Sequence, residues 1–171
     1  AIDNGRFEQL DIAGIENTSV NSINAYQDSL LIIGTAGAGI AIYNPATHFE
    51  KILTTHHGLA SDFIYFVAPD DQNYIWIGTE KGITRVRLNQ QFEIVENLSY
   101  DYDNGLTGVE TNSNAFFLSP DEKFFGLIDG LYQFNDLKRE RRKSFALHLT
   151  DVEIFFGEYS ARQYTDSLVG F

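Results

Sequence analysis

The sequence has no cysteine and no methionine among its 171 residues, three prolines and one tryptophan. Without Cys there is no disulfide framework, no thiolate nucleophile and no Cys-based zinc site. That lack suits an exported protein, although cytosolic chains also do without Cys. No apolar run approaches the roughly 20 residues of a membrane-spanning helix, and the expectation is that the sequence as given includes no secretory leader. Because Met is missing throughout, the expectation is a processed or excised piece of a longer protein. Basic residues are scarce: 12 Lys and Arg face 24 Asp and Glu, a net charge of −12. Such a surface repels nucleic acid and anionic membranes, and it disfavours both as partners. Aromatic residues are abundant, with 14 Phe and 9 Tyr in a chain that is 43% hydrophobic. This balance describes a folded, aromatic-rich β protein and excludes a disordered one.

The chain repeats itself three times. Ile32-Ile33-Gly34-Thr35, Ile75-Trp76-Ile77-Gly78-Thr79 and Lys123-Phe124-Phe125-Gly126-Leu127 are versions of one apolar strand ending in Gly, and the glycines stand 44 and 48 residues apart. A second strand opens on Gly39, Gly82 or Gly130 shortly after each. Gly58-Leu59 and Gly105-Leu106 precede the second and third units, and Gly14-Ile15 precedes the first. A period of this length with four short strands per unit means stacked propeller blades. Alternation and turn residues predict strands at 19–26, 30–35, 39–43 and 49–54 in unit one. They predict 63–68, 74–79, 83–88 and 92–97 in unit two, and 113–118, 123–127 and 131–134 in unit three. The fold class is therefore all-β: three four-stranded blades forming a partial propeller, then the first strands of a second β domain.

Phe49-Glu50 and Phe92-Glu93 mark outer strands, and Phe7-Glu8 repeats the mark at the N-terminus. The third unit runs instead into the basic stretch 137–143. The last blade thus lacks its own outer strand, and the N-terminus carries a spare one. The expected domains are blades over 1–136, a charged linker over 137–144, and a second β domain from 145, opening with a strand at 145–156.

Gly58-Leu59 through Trp76-Ile77-Gly78-Thr79 to Gly82-Ile83 resembles the regulator-propeller repeat of bacterial hybrid two-component sensors. Asp103-Asn104-Gly105-Leu106 through Asn112, Gly126 and Gly130-Leu131-Tyr132-Gln133-Phe134 resembles the final blade of such a propeller. Leu147-His148-Leu149-Thr150-Asp151-Val152-Glu153-Ile154-Phe155 resembles the first strand of the immunoglobulin-like domain that follows it. The resemblance covers about residues 14 to 156. It implies an extracytoplasmic ligand-sensing region, on the periplasmic or extracellular side of a bacterial inner-membrane protein, upstream of a membrane span and a histidine kinase. Three blades are fewer than such sensors carry, and signalling is beyond this chain alone.

Residues that could carry chemistry were weighed against plainer roles. Asp101, Asp103 and Glu110 fall in an EF-hand-like frame from Ser99, but Asn104 stands where that loop needs Gly, and an acidic turn is the better reading. His56-His57 with Ser61 and Asp62 could suggest a metal pair or a hydrolytic cluster. Adjacent strand residues face opposite sides, and no nucleophile elbow is present, so loop histidines are favoured. Ala36-Gly37-Ala38-Gly39 has no Lys and opens no helix, so it is not a phosphate loop. The run 137–143 could bind anions, but a solvated linker is favoured, and Trp76 reads as blade-packing core. No catalytic constellation, metal site or cofactor is expected. The alternative is the propeller domain of a lyase or peptidase, which would need convergent acid, base or metal groups. The loops at one blade end hold His56, His57, Glu80, Lys81, Tyr100, Asp101, Tyr102 and Asn112. Rings stack on apolar faces while polar groups fix orientation, which suits an oligosaccharide or peptide ligand. Three blades cannot close a ring, so the partner is a second copy in a homodimer, or further blades of a parent protein.

Overall fold

The computed structural model describes residues 5, 7–27, 29–136, 153–154 and 159–160. The chain divides into two compact units, Ala1–Asn135 and Asp136–Phe171. In the second unit one antiparallel pair is described, Glu153–Ile154 with Tyr159–Ser160. The expected linker at 137–144 and all but Glu153–Ile154 of the expected strand at 145–156 lie outside the described residues.

The first unit is three antiparallel sheets in succession. The first contains β1 (Val20–Tyr26), β2 (Leu30–Thr35), β3 (Ile40–Asn44) and β4 (Phe49–Leu53) in that order. The second contains β5 (Ile64–Pro69), β6 (Ile75–Thr79), β7 (Gly82–Leu88) and β8 (Ile94–Tyr100). The third contains β9 (Thr111–Leu118), β10 (Lys123–Leu127) and β11 (Gly130–Phe134). These are consecutive propeller blades, with β1, β5 and β9 side by side as innermost strands. The expected four strands per blade hold for two blades. The third has three, because nothing after β11 is paired to its edge among the described residues. The spare segment around Phe7-Glu8 forms no strand over 7–12.

The repeated residues each have a structural task. A Cβ on Gly34 would stand 2.8 Å from Ile64 Cγ2, and one on Gly78 would stand 2.6 Å from Thr111 Oγ1. The repeated Gly therefore marks where the next blade's innermost strand approaches the backbone. Opposite each Gly the inner strand bulges, with register shifts at Val20/Ser22, Ile64/Phe66 and Phe125/Leu127. The Thr after Gly closes the following hairpin: Thr35 Oγ1 donates to Gly39 O at 2.8 Å, and Thr79 Oγ1 donates to Gly82 O at 3.2 Å. The third blade has Leu127 at that place and makes no such bond. The Gly-Leu turns plug the blade interfaces. Leu59 packs in the core between the first two sheets, and Leu106 in the core between the second and third. Gly105 needs its flexibility, since it ends a one-turn 3-10 helix at φ 95°, a left-handed conformation that side chains resist.

Alternation within each strand gives every blade two apolar faces. Ile32, Ile42, Val67, Ile77 and Val86 fill the first interface. Phe66, Trp76, Ile83, Phe125 and Leu127 fill the second. A third cluster, Ile12, Ile15, Ile33, Ala41 and Tyr43, covers the free face of the first blade. Polar bonds fix the blades in register: Asn24 Nδ2 donates to Val67 O at 2.7 Å, and Asn21 Nδ2 to Ile64 O at 2.9 Å. The buried Trp76 stacks on Tyr100 with centroids 5.7 Å apart and donates its Nε1–H to Asp70 at 2.8 Å.

Candidate ligand-binding rim

The connections β4 to β5, β6 to β7, β8 to β9 and β10 to β11 all emerge at one end of the blades. The bulge in β5 leaves Tyr65 without a cross-strand partner. Bulges re-aim side chains, and here the Tyr65 hydroxyl crosses to the next blade and donates to Glu110 Oε1 at 2.6 Å. That bond, reinforced by burial and by the negative charges of Glu110 and Glu80, pushes the Tyr65 phenol up to about 12. Phe63 lies edge-on to Tyr65, with centroids 5.3 Å apart, and is 41% exposed. Ser61 Oγ donates to Glu80 Oε1 at 2.7 Å, and Lys81 Nζ donates to Ala60 O at 3.0 Å. Further round, Asp129 Oδ2 accepts from Tyr132 at 2.6 Å and from Thr107 at 2.8 Å. These two bonds hold the Asp129 carboxyl below its ordinary range.

The residues singled out from sequence share this end but do not form one cluster. His56 and His57 lie on a 3-10 turn, where His57 Nδ1 accepts the Thr54 N–H at 3.1 Å. Glu80 and Lys81 sit on the β6–β7 hairpin beside Ser61. Tyr100 closes β8 and packs against Trp76 and Phe134. Asp101 caps the next turn by accepting the Asp103 N–H at 3.0 Å, and Tyr102 projects into solvent. Asn112 Nδ2 donates to Leu127 O at 3.0 Å. In the EF-hand-like frame, Asp101 serves its turn and Glu110 serves Tyr65. Ser61, His57 and Asp62 engage three different partners, Asp62 accepting the Thr55 N–H at 2.6 Å. Among the described residues no group of three His, Asp or Glu could hold a metal.

Residues 58–81 match the family model described as Two component regulator propeller. The similarity to that repeat lies in the second blade and the turn before it. The match spans Gly58-Leu59, the bulged β5, Trp76-Ile77-Gly78-Thr79 and the hairpin that Thr79 closes. A 101-residue stretch of the chain is 27% identical to histidine kinase P4 of Formosa agariphila, covering 58% of this chain and 7% of that protein. Its fold is similar to the extracellular domain of BT4673 from B. thetaiotaomicron. One such structure, described as a one component system, aligns with a TM-score of 0.55 and 20% identity over 68% of this chain and 17% of that one. Another, described as a hybrid two component system, aligns at 0.54 and 19% over 67% and 15%. The chain therefore spans a small fraction of each of these relatives. At such identities the structural likeness speaks for the fold.

Sequence reading missed Phe63, Tyr65 and Asp129, and it considered Glu110 only in an EF-hand-like frame. Simple alternation hides a bulge, so nothing marked Tyr65 as turned toward another blade. One signal was available: an aromatic pair separated by one residue, Phe63 and Tyr65, follows the Gly58-Leu59 turn after Ala60, Ser61 and Asp62.

Proposed function

We infer that this regulator propeller is the extracytoplasmic ligand-sensing part of a two-component sensor histidine kinase, and that its rim binds a neutral oligosaccharide. The Tyr65–Glu110 bond beside the exposed Phe63 ring carries this reading. An exposed ring offers stacking to the apolar face of a sugar, and flanking carboxylates accept from its hydroxyls. Glu80, Glu110 and Asp129 make the rim acidic, and Lys81 is engaged with a backbone carbonyl, so anionic glycans are disfavoured. A hydroxyl-rich peptide shares the same donors. The chain binds and does not catalyse; the separate engagement of Ser61, His57 and Asp62 supports this over a lyase or peptidase role.

The test is a glycan and peptide array, followed by calorimetry of any hit with wild type, Phe63→Ala, Glu110→Gln and Tyr102→Ala. Loss of stacking or of a charged acceptor should weaken binding by at least roughly tenfold, equivalent to about 1.4 kcal/mol. Undiminished binding in Phe63→Ala and Glu110→Gln would remove the rim from the reading. Chromatographic detection of cleaved oligosaccharide would overturn the non-catalytic assignment.

A further inference from the structure

We propose that the bulge Asn112-Ser113-Asn114 in β9 is a second sugar subsite, which binds the hydroxyls of a neutral unit next to the one at Phe63. The rim then takes a disaccharide or longer. This subsite rests on the reading of the rim as an oligosaccharide site. The three innermost strands differ in one respect. Each bulges opposite the repeated Gly, and in β1 and β5 the bulge is a single residue, Asn21 and Tyr65. In β9 the register passes from Thr111 opposite Leu127 to Phe116 opposite Phe125. Ala115 stands against Gly126, where an added Cβ would lie 2.9 Å from the Ala115 Cβ. Asn112, Ser113 and Asn114 are therefore extruded where the other blades extrude one residue. Asn114 adopts φ 54°, a left-handed conformation that Asn tolerates better than most side chains. Bulges re-aim side chains and are frequent beside functional sites.

All three residues are exposed. Asn112 gives one amide N–H to Leu127 O at 3.0 Å and keeps its Oδ1 and second N–H. Ser113 and Asn114 make no side-chain hydrogen bond among the described residues. A carboxamide donates and accepts at once, which matches adjacent sugar hydroxyls, and none of the three side chains is charged. Two residues of extended chain, about 7 Å, separate Asn112 from Glu110. The Glu110 carboxylate in turn holds the Tyr65 hydroxyl beside Phe63. The bulge is thus the inner continuation of the same rim. Further blades leave this position open, because blades stack face to face around an axis that the innermost strands line. β5 has a blade on either side and is still the edge strand of its sheet. The bulge residues of β1 and β5 do reach forward to the next blade, Asn21 to Ile64 O and Tyr65 to Glu110. That task uses one side chain in each blade, so a bulge of three has two left for a sugar.

Calorimetry of the whole chain with graded neutral oligosaccharides tests this, using gluco-, manno-, galacto- and xylo-series from the single sugar to the hexamer. Wild type should bind the oligomers of one series at least roughly tenfold more tightly than its single sugar. Ser113→Ala combined with Asn114→Gly should remove that gain and leave the single sugar bound as in wild type. Gly accepts φ 54° without strain, and both positions are exposed, so the urea midpoint should not fall. Should the pair unfold, Ser113→Ala with Asn114→Asp carries the same comparison, since Asp tolerates that backbone and removes both amide donors. Phe63→Ala should weaken single sugar and oligomers alike. Oligomers bound by the double variant as tightly as by wild type, with binding lost in Phe63→Ala, would overturn the subsite and leave the rim reading standing. Loss in the double variant with Phe63→Ala and Glu110→Gln unchanged would keep sugar binding at the bulge and overturn the rim reading. A wild type that binds no member of any series would overturn both.

Discussion

Gly78→Ala isolates what the repeated glycine does. The added Cβ would stand 2.1 Å from Phe66 Cε1, 2.4 Å from Phe66 Cδ1 and 2.6 Å from Thr111 Oγ1. Phe66 cannot swing away: it is fully buried, stacked on Phe125 at 5.8 Å and tilted against Phe116 at 5.2 Å. Thr111 is held from the other side by its own bond to Thr79 O at 3.3 Å. Overpacking of this kind costs about 1–3 kcal/mol, and two immobile neighbours place this case at the upper end. Replacing a strand Gly returns roughly 0.5–1 kcal/mol of backbone entropy. The net loss should be about 2–2.5 kcal/mol, or on the order of 4–10 °C in Tm for a chain of this size. Urea unfolding followed by fluorescence of the single buried Trp76 measures it. Phe66→Leu in the same chain should make Gly78→Ala less costly, by freeing the space the ring occupies. A Gly78→Ala midpoint within about 0.5 kcal/mol of wild type would refute the reasoning, since surface-like changes fall in that range.

Thr79→Val keeps the shape but removes the hydroxyl that donates to Gly82 O and accepts the Lys81 N–H, and urea unfolding should show a loss of about 1–3 kcal/mol. Asp70→Ala leaves the Trp76 Nε1–H without its acceptor, and should cost a similar amount while shifting the Trp76 emission. Phenolate absorbance should show Tyr65 titrating near its raised value of about 12, above the ordinary 10.0 of a tyrosine, and Glu110→Gln should bring it down. Because the folded value lies above the unfolded one, this stabilisation is complete below pH 10 and is lost as pH rises through about 12.

Much of the fold was legible because turns punctuate it. The runs Leu30–Thr35 and Lys123–Leu127 begin and end where alternation and the repeated Gly place them. The β8 strand was harder: it begins at Ile94 and continues to Tyr100, whereas the sequence predicts a strand over 92–97. That extension pairs Tyr100 with Ile83 and lays its ring on Trp76. Tyr100 therefore has a packing task that a loop reading could not reveal. The rim was only half legible. Glu80 and Lys81 follow from the position of their hairpin, whereas Tyr65 and Glu110 meet through a bulge and across 45 residues of chain.

Backbone amide shifts on titration with an oligosaccharide identified by array test the central claim most directly. Perturbations should concentrate at 61–66, 79–82 and 108–112, around the Tyr65–Glu110 bond. Perturbations confined to the opposite blade end, at Pro69–Tyr74 and Ser119–Glu122, would contradict the rim as the binding site.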